Sequence, residues 1–265
     1  MMKLVLVLIL AKYFSRRHVE IRDTKHIFIS GSYALIPFIL VLLQPDFGSA
    51  MIIFLIWLGM VLVSGISKTH LLLVFGAGAF VFALFWFLVF APYQKARIAD
   101  FINPLADIHG SGYNAFQSTI AVGSGQIVGK GLGFGTQSRL KFLPEPQTDF
   151  VFAAYAEEWG LIGSLLILIL YGLVIYRILY LASFSAYNFE MLFGMGIAIF
   201  FMSHILINIG MNLGLLPVTG IPLPFMSYGG SHLLFEFSGL GILMSMKRYA
   251  RSVHRDDIKN EFLGV

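Results

Sequence analysis

Long uncharged runs broken by short polar stretches set the pattern of this chain. Apolar residues dominate 1–13, 27–43, 48–66, 70–91, 151–181, 190–216 and 231–247, and these seven segments predict helices. Runs such as Leu71–Ala91 and Met191–Leu216 can cross a hydrocarbon layer of about 30 Å at the helical rise of about 1.5 Å per residue. Backbone groups in lipid must bond within their own segment, which excludes an open sheet. The first segment differs, because Leu4 to Ala11 is too short to span before Lys12 interrupts it, and it lacks the charged flank and cleavage site of a signal peptide. It reads either as the tail of a longer helix or as a short interfacial one.

Composition agrees: 58% hydrophobic, 12% charged and 26 Phe in 265 residues, with mean hydropathy +0.83, describe an integral membrane protein. The net charge of +4 suits a lipid surface and gives no reason to expect nucleic acid. Cysteine is absent, which removes disulfide and thiolate chemistry. Lys12, Arg16, Arg17, Arg22 and Lys25 crowd the first loop, and Lys247, Arg248, Arg251 and Arg255 follow the last segment. The positive-inside rule makes both regions cytoplasmic. Alternating crossings then put Lys68 and Arg177 inside, with a long extracytoplasmic loop over 92–150 and a cytoplasmic tail over 248–265. No repeat of fixed period divides the chain, so residues 1–265 read as one membrane domain.

Chemistry gathers where the long loop meets the fifth segment. Asp149 stands where a water-facing loop enters hydrocarbon, a costly place for a carboxylate unless it has a task. Lys130, Arg139 and Lys141 precede it on the same loop. Glycines 110, 112, 123, 125, 129, 131, 133 and 135 crowd around Lys130 and are able to aim N–H groups at an anion, although they match no soluble nucleotide motif; a flexible surface loop is the plainer reading. Glu157 and Glu158 follow on the predicted helix, and only one of them can share a face with Asp149. Pro217, Pro222 and Pro224 require irregular chain between the last two segments, as a hinge or as the wall of a cavity. Gly229 and Gly230 would permit close approach or positive φ there, beside Ser227, Tyr228, Ser231 and His232. Asp46 reads as the N-cap of the third segment, with Gly48 and Ala50 permitting tight packing. His109, His204 and His232 have no ligand spacing, and no metal centre built by the protein is predicted.

The blocks QPDFGSA, GSGYNAFQSTIAVGSGQIVGKGLGFGTQSRLKFLPEPQTDFVFAAYAEEWG and GLLPVTGIPLPFMSYGGS resemble the SEDS family of RodA, FtsW and SpoVE over nearly the whole chain. The EEWG wording and the VTGIPLPFMSYGGS block lean toward the RodA branch. The resemblance implies an all-α polytopic bundle of ten helices, of which this chain carries about seven, with about three N-terminal helices absent. It implies a membrane glycosyltransferase that polymerises lipid II into peptidoglycan strands at the outer face of the cytoplasmic membrane, for cell shape and elongation. The implied partners are lipid II, the undecaprenyl-pyrophosphate-linked glycan, a class B penicillin-binding protein acting as transpeptidase, and membrane lipids. An FtsW-type division polymerase, a lipid II flippase and a non-catalytic scaffold for a transpeptidase are the competing readings.

Within that resemblance Asp149 matches the essential aspartate and would assist the acceptor hydroxyl as general base. Arg97, Lys130 and Lys3 are the cations for a pyrophosphate leaving group, and Gln137, Glu157, Ser227, Gly229 and Gly230 complete the substrate-contacting candidates. No cofactor is built in; a magnesium or manganese ion would arrive with the pyrophosphate. The family glutamate expected to pair with Lys3 is missing, which leaves Lys3 as an expected unpaired cation. Glu236 and His232 depart from the family pattern, Glu236 without a sequence-level explanation.

Overall fold

The computed structural model describes residues 2–16, 24–65, 72, 74–76, 78, 83, 85–87, 90, 92–103, 112–185 and 187–263. The predicted span over 70–91 lies largely outside the described residues, as do Arg17, Arg22, Lys68, His109 and Gly110. Among the described residues the helices, in chain order, are α1 (Met2–Ser15), α2 (Thr24–Leu43), α3 (Phe47–Val63), α4 (Pro92–Ile102), α5 (Tyr113–Ser124), α6 (Thr136–Arg139), α7 (Val151–Ser183), α8 (Asn188–Asn212) and α9 (Gly230–Leu263). No strand occurs among the described residues. Among the described residues three helices are long and apolar enough to cross a membrane, Lys25–Leu43, Val151–Ser183 and Asn188–Asn212, and Phe47–Val63 is a shorter apolar one.

The bundle is organised around α8, which touches α1, α3, α5, α7 and α9. Its small residues make that possible, because helices in lipid gain little from hydrophobicity and associate by close packing. A side chain at Gly196 would press on Val7 of α1 and Met60 of α3, and one at Gly194 on Ala182 of α7. The first helix is therefore not interfacial. Leu6, Val7, Leu10, Ala11 and Phe14 are all buried, and α1 packs into the core with α3 and α8. Asp46 caps α3 as expected, accepting from the Ser49 N–H at 2.9 Å. A Cβ at Gly48 would collide with the Thr219 carbonyl, so this glycine seats α3 against the proline-rich chain.

Two segments differ from the sequence reading. The helix expected to run to Leu216 stops at Asn212, because Gly214 turns left-handed at φ 71° and the N–H groups of Leu215 and Leu216 fold back onto the Gly210 carbonyl at 2.8 and 3.2 Å, a glycine-terminated helix end. The stretch 92–150, read as a loop, contains α4, α5 and α6, with α5 laid against α7 and α8.

The α7 helix is broken near its start. Gly160 has φ 65° and ψ −161°, a conformation that essentially only glycine adopts. The Glu157 and Glu158 carbonyls, released from the helix, accept from the N–H groups of Lys130 and Gly131, both at 3.0 Å, and the Leu161 and Ile162 N–H groups donate to the carbonyls of Gln126 and Ile127 at 2.9 and 3.1 Å. Residues 126–131 thus restore the bonds the break removes, as buried backbone requires. A Cβ at Gly129 would strike the Glu158 carbonyl and one at Gly160 the Gly129 amide.

Candidate active site

The segment Gln147–Asp149 enters α7 through a clamp of hydrogen bonds from elsewhere in the fold. Asn208 Nδ2 donates to the Asp149 carbonyl at 2.9 Å and to the Ile221 carbonyl at 2.7 Å. Asn212 Nδ2 donates to the same Asp149 carbonyl at 3.1 Å, while its Oδ1 accepts from the Ala153 N–H at 3.1 Å. The Ser227 hydroxyl donates to the Thr148 carbonyl at 2.6 Å, and the Tyr228 N–H donates to the Gln147 carbonyl at 2.8 Å. The backbone that carries Asp149 is therefore bound to α8 on one side and to the proline-rich chain on the other.

The side chain of Asp149 remains partly accessible and lies over Gly220, whose hypothetical Cβ would be 3.3 Å from Oδ2. Gly220 is left-handed at φ 69°. Burial pushes the Asp149 carboxyl above its ordinary value, Glu145 adds to the rise, and the Arg97 guanidinium of α4 opposes it. A carboxylate so placed is a stronger base than a solvated aspartate.

One face of α8 supplies most of the clamp. His204, Asn208 and Asn212 recur every four residues and are fully buried, so they form one polar stripe. The Pro222 carbonyl lies 3.2 Å from His204 Nδ1 and can only accept, which places the ring proton on Nδ1. His204 Nε2 is then the acceptor for the Lys3 ammonium at 3.4 Å. Lys3 is accordingly partnered, contrary to the expectation of an unpaired cation, and it is committed to α8. Tyr171 of α7 donates to the Pro224 carbonyl at 2.5 Å, so the carbonyls of residues 221, 222 and 224 each receive a donor from a helix.

Glu236 also belongs to this support. It is 1% exposed, and its Oε2 accepts from the Phe225 N–H at 3.1 Å, at a residue held left-handed at φ 62°. Its Oε1 lies 2.7 Å from His232 Nδ1, and the His232 ring sits 5.0 Å from that of His204, centroid to centroid. The two departures from the family pattern thus act together under the proline-rich turn.

The lysine and glycine loop is occupied by the protein's own anion. Glu157 is fully buried, and its Oε1 accepts from Lys130 Nζ at 2.8 Å, Thr136 Oγ1 at 3.1 Å and the Gln137 N–H at 3.0 Å. Its Oε2 accepts from the Ser138 N–H at 3.3 Å. The loop does gather N–H groups around a negative charge, as its glycines suggest, but that charge is Glu157. Lys130, Gln137 and Glu157, three of the predicted substrate-contacting residues, thus form one internal ion-pair cluster. Ser227, 3% exposed, spends its hydroxyl on Thr148 and on the Leu223 N–H at 2.7 Å. Gly229 and Gly230 are not left-handed; Gly214 and Gly220 are. Of the sequence-predicted candidates, the structure brings Arg97 alone into the electrostatic neighbourhood of Asp149, whereas Lys3 and Lys130 have other partners.

Residues 1–252 match the family of FtsW, RodA and SpoVE, a group of cell cycle proteins. This chain belongs to that family. It is 37% identical to the peptidoglycan glycosyltransferase MrdB of Escherichia coli K12, covering 96% of this chain and 68% of that protein. It is also 37% identical to stage V sporulation protein E of Bacillus subtilis 168, covering 94% and 68%. Among solved structures it resembles a chain of a peptidoglycan synthase complex that coordinates polymerization and crosslinking, with TM-score 0.76, 32% identity and coverage of 94% and 68%. Thermus thermophilus RodA gives TM-score 0.63 at 30% identity, covering 94% of this chain and 64% of that one. The chain therefore spans about two thirds of the length of these relatives. Family and apolar helices together make it a multi-pass membrane protein.

Proposed function

We propose that this chain is a peptidoglycan glycosyltransferase that joins lipid II disaccharide-peptide units into glycan strands, with Asp149 as general base. The observation that carries the reading is the Asp149 carboxylate itself, partly accessible on a backbone fixed by Asn208, Asn212 and the Ser227 clamp, with burial pushing its pKa up. A sugar hydroxyl of the acceptor attacks the anomeric carbon of the donor, its proton passes to Asp149, and the bond from that carbon to the lipid pyrophosphate breaks. The leaving group takes the electron pair, and Arg97 is the cation placed to favour its charge.

Magnesium or manganese would enter with the pyrophosphate oxygens. Among the described residues no three His, Asp or Glu side chains converge on one point. The long stretch 92–150 faces the outside of the cytoplasmic membrane and both charged ends face the cytoplasm, by the positive-inside distribution. The partner is a class B penicillin-binding protein, a reading supported by the likeness to a chain of a complex that also crosslinks. Polymerisation of lipid II by the purified chain, followed by gel separation of the strands, tests the proposal, with Asp149→Ala as the control. Product of wild-type length from that variant would remove the general-base assignment.

A further inference from the structure

At the opposite end of α8 from the Asp149 clamp stands a polar group that glycosyl transfer does not use. Glu190 occupies the first turn of α8 and is 7% exposed. Its Oε2 is buried without a hydrogen-bond partner, and among the described residues no cation forms an ion pair with it. Glu190 lines a shallow, largely open recess of about 670 Å³ together with Ser238, Gly241, Ile242, Ser245 and Met246 of α9. Those five positions recur every three or four residues and so share one helix face.

We infer that this recess binds the headgroup of a primary-ammonium phospholipid of the phosphatidylethanolamine type, with the ammonium on Glu190 and the upper acyl chain along Ile242 and Met246. A buried carboxylate at a span boundary is costly alone, and an ammonium supplies both the missing charge and the missing N–H donor. Glu190 is three residues into a span-length helix, which sets it at headgroup depth. The wall from Ser238 to Met246 extends about 12 Å along α9, a short seam for a partner helix that must cross about 30 Å but sufficient for one headgroup and the start of its chain. A primary ammonium donates three hydrogen bonds; a quaternary choline donates none.

The test uses the purified 265-residue chain, stripped of lipid in detergent and then supplied with phosphatidylethanolamine, phosphatidylcholine or phosphatidylglycerol of equal chain length, with native mass spectrometry reading bound lipid. Phosphatidylethanolamine should be retained about tenfold better than either of the others, the ratio expected of one charge-assisted hydrogen bond. Glu190→Gln should bring the three lipids to parity. Gly241→Leu should weaken retention without changing thermal unfolding, because a Cβ at Gly241 meets nothing within 4 Å and the added side chain enters open space. Equal retention of ethanolamine and choline lipids by the unmodified chain, or unchanged phosphatidylethanolamine retention in Gly241→Leu, overturns the inference. Displacement by free ethanolamine at equal concentration also overturns it in favour of a simple amine site, and displacement by a lysine-bearing transmembrane peptide does so in favour of a partner helix.

Discussion

Replacing Asn208 by Ala should lower polymerisation far more than stability alone explains. Asn208 is fully buried and gives its two N–H donors to the carbonyls of Asp149 and Ile221, while its own Oδ1 lies 3.2 Å from Asn212 Nδ2. Truncation leaves the Ile221 carbonyl without that donor, and an orphaned buried acceptor costs about 1–3 kcal/mol. The Asp149 carbonyl keeps Asn212 at 3.1 Å, so its loss is partial and the fold should survive. Catalysis responds differently, because a displacement of about 1 Å at a general base can cost on the order of 10²-fold in rate. Thermal unfolding in detergent and lipid II polymerisation, measured on the same preparation, separate the two effects. A variant with normal unfolding and normal turnover would refute the clamp. One whose turnover falls only in proportion to its folded fraction would refute the positioning role.

Asp149→Asn should abolish strand formation, read on gels. It should also be at least as stable as the unmodified chain at neutral pH: the folded pKa of Asp149 is raised, so its contribution to stability is full below the ordinary aspartate value of about 4 and is lost as pH rises through the folded one, which thermal unfolding at two pH values checks. Because activity needs the carboxylate, Glu145→Gln should move the acid limb of the rate profile to lower pH and Arg97→Gln should move it to higher pH; shifts in the same direction would remove the electrostatic account. Gly160→Ala should destabilise by about 1–3 kcal/mol from overpacking against residues 127 and 129, and an unchanged melting temperature would show that α7 tolerates a different break. Cysteine at Ser124 should label from outside and cysteine at Ser15 only after permeabilisation; the reverse pattern would place Asp149 on the cytoplasmic side.

The spans were legible because hydrocarbon imposes a length on them. Val151–Ser183 and Asn188–Asn212 begin within two residues of the apolar runs that predicted them. The C-terminus of α8 was legible too, but in Gly214 rather than in Pro217: a glycine two residues beyond the last helical position ends a helix more directly than a proline five beyond. The support of Asp149 was also written in the sequence. His204, Asn208 and Asn212 form a polar stripe at helical spacing within an otherwise apolar run, yet asparagine has no titratable group to draw attention. What could not be read was the identity of the anion held by the glycine loop. Gly129–Lys130–Gly131 and Glu157 are far apart in sequence, and only the break at Gly160 turns the α7 carbonyls toward the loop.

That break and the stripe on α8 solve the same physical problem in two ways. A site for a polar, lipid-linked substrate needs irregular backbone near membrane depth, and each unsatisfied group there costs several kcal/mol. At residues 157–162 the solution is backbone to backbone, with the loop 126–131 lying alongside the broken helix. At residues 221–224 it is side chain to backbone, with Asn208, His204 and Tyr171 each serving one carbonyl. The second arrangement carries information between elements, because His204 also holds Lys3 of α1 and Asn208 also holds Asp149. Hydrogen bonds thus run without a gap from Lys3 of α1 through His204 to the proline-rich chain, and from that chain through Ser227 to the Thr148 carbonyl. The backbone that carries Asp149, the proposed general base, is held by hydrogen bonds from α8 and from the proline-rich chain, so on the proposed mechanism a rearrangement of this network should alter catalysis without touching the substrate.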